Sequence, residues 1–330
     1  MAAKLPESLF GSEPTSSMKV RASPSTSGTN NTHGGVHPSR QYYLEQLIVA
    51  LRNDHTREEA LHLLYKSCGA HEDYLALLLW HSFETIFVLL KEIIEVYRLI
   101  STPELTESVS MRVCNALALL KCVATHPDTR MPFIKARIPL YIYPLLNNTN
   151  KESSHERLRL ISLGVIGALV KAGDAEVITF LIENQIINHC IHCMEVGSVL
   201  SKTVATYVVH KILMQDEGLK YCCTFAHRFY ALGHALAKMV ENLPEELSEQ
   251  QLQLLKHIIC CYQRLSESPR ACDGLKFCLP TRLRDATAIN LLRVDQTTIR
   301  SLEQLVYNVS IGHQSTTKPF GKSLMHLLKG

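Results

Sequence analysis

The sequence predicts an all-α fold built from repeated helical units, and three observations carry the prediction. An outline of apolar helix, polar corner and second apolar run, first seen from Arg112 to Asn148, returns about 47 residues later and then twice more. Its corners fall at His126-Pro127-Asp128, Gly173-Asp174, Gln215-Asp216-Glu217 and Pro269, and a gapless overlay sets Phe133 over Phe180, with Leu275 at the same place 142 residues after Phe133. Strand signals are weak, since β-branched runs such as Tyr207-Val208-Val209 lie inside helical periodicity and lack alternation. Finally, 330 residues with 46% hydrophobic content are enough to bury a long core. Each unit has an apolar face it cannot bury alone, so neighbours must stack; the expected architecture is an armadillo/HEAT-like, right-handed superhelical solenoid of about six helical repeats.

Taken in order, residues 1–38 are dominated by Ser, Thr, Pro, Gly and Asn with no apolar period, and are expected to form a disordered tail. No apolar stretch follows Lys4 as a secretory signal requires, and no run of about 18 consecutive apolar residues offers a membrane span, so a soluble chain is expected. Residues 39–310 form the repeat domain. From 311 to 330 the chain turns polar and is expected to leave the solenoid as a flexible tail. Its Gly321-Lys322-Ser323 resembles the end of a phosphate-binding loop, but Thr316 stands where that loop needs glycine and no strand precedes it.

The stretch WHSFETIFVLLKEIIEVY, which holds the single tryptophan, reads as one helix. With Phe83 at zero and about 100° per residue, Ile94 falls near 20° and Phe87 near 40°, one stripe; Leu89, Ile93 and Val96 fall between about 220° and 280°. Glu84, Lys91, Glu92 and Glu95 take the polar side at about 80° to 180°. The apolar arc is wider than the ~100° that one-sided packing uses. Either the Phe83, Phe87 and Ile94 edge is buried between neighbouring repeats, or it is left for a partner protein.

Chemistry-bearing motifs are sparse. The eleven cysteines are expected to be reduced core side chains. Cys190 and Cys193 lie one turn apart beside His189 and His192, yet no second C-x-x-C completes a zinc site, and the adjacent pairs Cys222-Cys223 and Cys260-Cys261 diverge on a helix. Neither H-E-x-x-H nor G-x-S-x-G occurs. The expectation is therefore no enzyme, no cofactor and no metal. With 34 basic and 31 acidic residues the net charge is +3, far from the footprint of a dedicated nucleic-acid binder.

LLLWHSFETI, RVCNALALLKCVATHPDTR, RLISLGVIGALVK, LSKTVATYVVHKIL and LLKHIICCYQRLSESPRA, in that order between about residues 40 and 300, resemble the required-for-cell-differentiation family. That family is the armadillo-repeat subunit, subunit nine, of the carbon-catabolite-repression/NOT (CCR-NOT) messenger RNA deadenylase. The resemblance implies a non-catalytic adaptor that binds the NOT scaffold subunit and recruits short amphipathic or tryptophan-containing peptides of mRNA regulators, in cytoplasm, processing bodies and nucleus. It gives His81, Phe83, Phe87 and Ile94 the scaffold-binding role. It also implies a peptide groove that includes Arg157, Gly164 and Val204, used in a helix-in-groove mode. Glycine inside a helix costs ~1 kcal/mol, so Gly164 is there for close approach of a ligand or of another helix. Relatives often have an aromatic residue at the position of Arg157, which implies peptides with an acidic anchor. A nucleic-acid groove, the alternative the family suggests together with a transcriptional role, would use Arg228, Lys256, Arg264 and Arg270; Gln253 and Cys260 stand where relatives have arginine.

Overall fold

The computed structural model describes residues 38–311 apart from 70, 103, 285–291 and 293–294. Both expected tails, with Gly321-Lys322-Ser323, lie outside the described residues except at their edges, where the first helix begins at Pro38 and the last ends at Ile311. Helix α1 (Pro38–Leu51) and α2 (Arg57–Ser67) form the first unit. Three-helix units follow: α3 (Glu72–His81), α4 (Thr85–Glu95) and α5 (Glu107–Thr125); α6 (Pro127–Lys135), a short α7 (Tyr143–Leu146) and α8 (Ser153–Lys171); α9 (Ala175–Glu183), α10 (Ile186–Val196) and α11 (Val199–Leu213); α12 (Asp216–Thr224), α13 (Ala226–Glu241) and α14 (Glu249–Ser266). The last unit runs from α15 (Pro269–Cys278) to α16 (Gln296–Ile311). That makes six units, and no strand occurs among the described residues.

The units stack helix by helix. The closing helices α2, α5, α8, α11, α14 and α16 each pack on the next and form the inner ladder. Their starts are set by local capping: Thr106 accepts from the Val109 amide, Ser198 from Ser201, and Ser248 with Gln251 forms a capping box. Helix α5 is long and apolar enough to cross a membrane by composition, but most of it is buried among α2, α3, α4 and α8, which accounts for its apolarity. Eight of the eleven cysteines are buried and fill this core.

The polar corners are the turns from each inner helix into the next unit. Their cap residues His126, Asp174, Gln215 and Ser268 all have extended ψ, between 119° and 138°. These caps lie 48, 41 and 53 residues apart, so the even period is an average of unequal units. One consequence corrects the gapless overlay. Counted from the caps, Leu181 rather than Phe180 occupies the place of Phe133; Leu181 is buried like Phe133 and Leu275, whereas Phe180 is half-buried. Gly218 makes the third of these corners possible, because a Cβ there would fall 2.0 Å from the Ile212 carbonyl oxygen.

Candidate protein-interaction surfaces

The tryptophan stretch is two helices, not one. Ser82 is extended (φ −79°, ψ 130°) and Glu84 is left-handed (φ 59°), so Trp80 and His81 end α3, Phe83 sits in the turn, and α4 begins at Thr85. The same left-handed turn recurs at Arg137 and Gln185 in the next two units, each time without glycine. Arg52 clamps the corner: its Nη2 donates to the Phe83 carbonyl at 2.9 Å, and its guanidinium lies 6.0 Å from the Phe83 ring. Leu89, Ile93 and Val96 face the core as expected, while Phe83 (74% exposed), Phe87 (69%) and Ile94 (43%) face outward together with the exposed His81. The stripe is not buried between repeats.

Glu92 also departs from expectation. It leaves the polar side of the wheel and is buried, with Arg112 Nε 2.6 Å and Arg57 Nη1 3.5 Å from its carboxylate. The Arg112 contact is off the hydrogen-bond direction and acts as a charge contact. Burial pushes the Glu92 pKa up while the two arginines oppose the shift. The cluster ties α4 to α2 and α5, through partners too distant in sequence for the helical wheel to reveal.

On the inner face, Arg157 on α8 pairs with Glu107 of α5 at 2.7 Å. Gly164, two turns further along α8, is buried, yet a Cβ on it would meet no atom within 4 Å. Close helix packing therefore does not explain the glycine; it floors an open hollow. Val204 on α11 is 3% exposed and belongs to the floor rather than the rim. A Cβ on Gly167 would lie 3.8 Å from both Val204 and Tyr207. Tyr207 in turn stands edge-on to His257 of α14 (centroids 5.5 Å), and His257 lies 5.8 Å from His210. Lys211 Nζ is 5.8 Å from the Tyr207 ring. His210 Nδ1 and His257 Nε2 are buried with no hydrogen-bond partner. Burial, aided by Lys211, pushes the His210 pKa down to about 4; burial, aided by His210, Lys256 and Lys211, pushes His257 down to about 3. Sequence reasoning missed this pair, because nothing local links two histidines 47 residues apart.

Of the four basic residues of the nucleic-acid alternative, Arg228 lies near Cys222 and both Arg264 and Arg270 near Cys223 of α12. Arg228 lies on the outer side, where its guanidinium covers Tyr221 at 3.9 Å and Phe225 at 4.8 Å in a hollow of about 330 Å³ shared with Thr179, Glu183 and Lys220. Lys256 pairs with Asp295 at 2.6 Å. Arg264 is tied into the corner between α11 and α12, donating to the Leu213 carbonyl (3.0 Å) and to Asp216 (2.7 Å) and pairing with Glu267. Arg270 stands in the first turn of α15, and Gln253 and Cys260 are half-buried on α14. At the cysteine-histidine cluster, Cys193 donates to the Leu146 carbonyl (3.5 Å) and burial holds its thiol up to about 12, while His189 is bonded to Asn147 (2.7 Å) and tilted on Tyr143. Among the described residues no three His, Cys, Asp or Glu side chains converge to hold a metal ion.

Six stacked helical units define an armadillo-type repeat fold. In fold the chain is similar to an engineered protein (TM-score 0.55, 14% identity, covering 82% of this chain and 99% of that one). It is similar also to a computationally designed armadillo repeat protein for modular peptide recognition (TM-score 0.53, 17% identity, 80% and 99%). Residues 47–309 match the family model described as cell differentiation family, Rcd1-like. Cell differentiation protein rcd1 of Schizosaccharomyces pombe is 49% identical over 263 residues, 80% of this chain and 92% of that protein. Protein CAF40 of Saccharomyces cerevisiae is 44% identical over 280 residues, 85% and 74%. The chain belongs to the Rcd1-like cell differentiation family.

Proposed function

We propose that this chain is a non-catalytic adaptor subunit of the CCR-NOT messenger RNA deadenylase complex. In this reading it binds the NOT scaffold subunit through His81, Phe83, Phe87 and Ile94. The inner groove, with Arg157 at its rim and Gly164 and Val204 in its floor, takes amphipathic helical peptides of mRNA regulators, and the outer hollow at Tyr221, Phe225 and Arg228 suits an aromatic peptide side chain such as tryptophan. Recruitment of this kind promotes mRNA decay and translational repression, and would occur in cytoplasm, processing bodies and nucleus.

The exposure of Phe83 and Phe87 carries the proposal. Two phenylalanines 74% and 69% exposed on one edge contribute little to folding, and a contiguous exposed apolar edge marks an interface. The test is the Phe83→Ala, Phe87→Ala double variant. Central aromatic anchors are worth roughly 2 kcal/mol or more of binding, so co-purification with the NOT scaffold should be lost while thermal unfolding stays near that of the parent. Retained association would sink the scaffold role. For the groove, Gly164→Trp is the better probe than Val204→Glu: a Cβ at Gly164 meets no atom within 4 Å, whereas a carboxylate at the buried Val204 carries a folding cost. Gly164→Trp should abolish capture of regulator peptides, with thermal unfolding recorded beside it to separate a blocked groove from a damaged fold.

A further inference from the structure

Helix α11 is held by α8, α10, α12 and α14, and few side chains of its second half escape burial. Those that do are Tyr207, His210 and Lys211; Tyr207 and Lys211 continue the line of Val204 along the inner groove, and His210 flanks it. That line passes from the apolar floor to a polar end about 10 Å further along the helix. There His257 of α14 stands 5.5 Å from Tyr207 and 5.8 Å from His210. Gln253 lies one turn before it on the same helix, half-buried like both histidines. His210 Nδ1, His257 Nε2 and Gln253 Oε1 are all buried without a hydrogen-bond partner. Folded proteins seldom leave such groups unpaired, and three at one joint point to a ligand. Charge at the joint has one sign. Lys211 Nζ lies 5.8 Å from the Tyr207 ring and pairs with no carboxylate among the described residues. Lys256 is neutralised by Asp295 at 2.6 Å, and burial keeps the Cys260 thiol protonated.

We propose that this α11–α14 joint anchors an acidic side chain, aspartate or glutamate, of the peptide helix that the groove takes. The inference rests on the proposed reading of the groove. A carboxylate only accepts hydrogen bonds, and every orphaned group here is able to donate one. A neutral imidazole carries its N–H on either nitrogen, and the Gln253 amide presents its NH2 once turned over. Lys211 supplies the opposite charge without giving up an existing carboxylate, and charge-assisted bonds are the stronger kind. A basic side chain would meet an ammonium, and an apolar one would leave the orphans unpaired. A nucleic-acid strand fits less well, because it carries a charge on every phosphate and tracks a run of cations. The joint has a single unpaired lysine, with Gln253 and Cys260 uncharged beside it. The guest helix is thus defined by apolar contacts over Gly164 and Val204 and an acid about 10 Å beyond Val204.

The experiment uses the full chain and a display library of amphipathic helical peptides randomised on one face. Peptides held by the parent but not by Gly164→Trp are groove binders. These are synthesised and titrated against the parent and against Lys211→Gln, with thermal unfolding recorded for each variant. The expected groove binders carry aspartate or glutamate at one position, and changing it to asparagine or glutamine weakens binding tenfold or more. Lys211→Gln should cost the acidic peptide a similar factor and the amide peptide almost nothing, since the two changes remove the same contact. The peptide change is read on the parent chain, so the test survives any loss of stability in Lys211→Gln. Groove binders that lack an acid, or an acidic peptide that binds Lys211→Gln like the parent, overturn the anchor and leave the groove reading standing. If no peptide is sensitive to Gly164→Trp, the groove reading itself fails and the anchor with it. Single-stranded RNA bound by the parent and weakened by Lys211→Gln, with acidic and amide peptides binding alike, would show the anion to be phosphate and would also overturn the proposal.

Discussion

His210 and His257 make the folded chain sensitive to mild acid, and the size of the effect follows from their surroundings. Both imidazoles are held neutral, with pKa values pushed down to about 4 and about 3 by burial and neighbouring lysines, while a histidine in the unfolded chain takes up its proton near 6.5. Between those limits the unfolded state binds more protons than the folded state, so stability rises with pH. The contribution is fully present above about pH 6.5 and is lost as pH falls. At pH 5.5 each unfolded histidine gains about 1.4 kcal/mol from protonation that its folded counterpart does not share, about 3 kcal/mol for the pair. Replacing both by glutamine, His210→Gln with His257→Gln, removes the proton uptake. Urea unfolding at pH 7.5 and 5.5 should show the parent losing about 3 kcal/mol more than the variant between the two conditions. Parallel losses would refute the assignment of two neutral buried histidines.

Three further outcomes follow from packing. Gly218→Ala should lower the melting temperature sharply, because its Cβ has no room beside the Ile212 carbonyl, whereas Gly164→Ala should be neutral or gain up to ~1 kcal/mol from better helix propensity. Leu181→Ala should cost about 2–5 kcal/mol by cavity formation and Phe180→Ala clearly less; the reverse order in chemical unfolding would restore the gapless repeat register. Glu92→Gln should destabilise by roughly 2–4 kcal/mol, since Arg57 and Arg112 lose the buried charge they share; a melting curve like the parent's would show that the cluster is dispensable.

Much of the architecture was legible because helix formation and stacking leave local traces. Apolar spacing and polar corners repeat along the chain, and the division of α4 into a core edge and an outer edge follows from Leu89 and Ile93 against Phe87 and Ile94. The break at Ser82–Glu84 was not legible, because a glutamate in left-handed conformation carries neither the glycine nor the proline that usually marks a turn. Unequal repeat lengths disguised the true partner of Phe133. Glu92 reads as a surface residue until Arg57 and Arg112 are brought to it from 35 and 20 residues away. The paired histidines have the same cause: contacts across the inner ladder join residues whole repeats apart.

The inner ladder has a mechanical consequence. Within the ladder each helix packs chiefly on the ladder helix before it and the one after it, so the curvature of the array is the sum of several small rotations. A structure of that kind bends like a leaf spring: a degree or two of tilt at each joint, well within ordinary side-chain slack, opens or narrows the whole arc. Load applied at one end is therefore shared along the array, and the width offered to a guest can be adjusted by changes several helices away from where the guest sits.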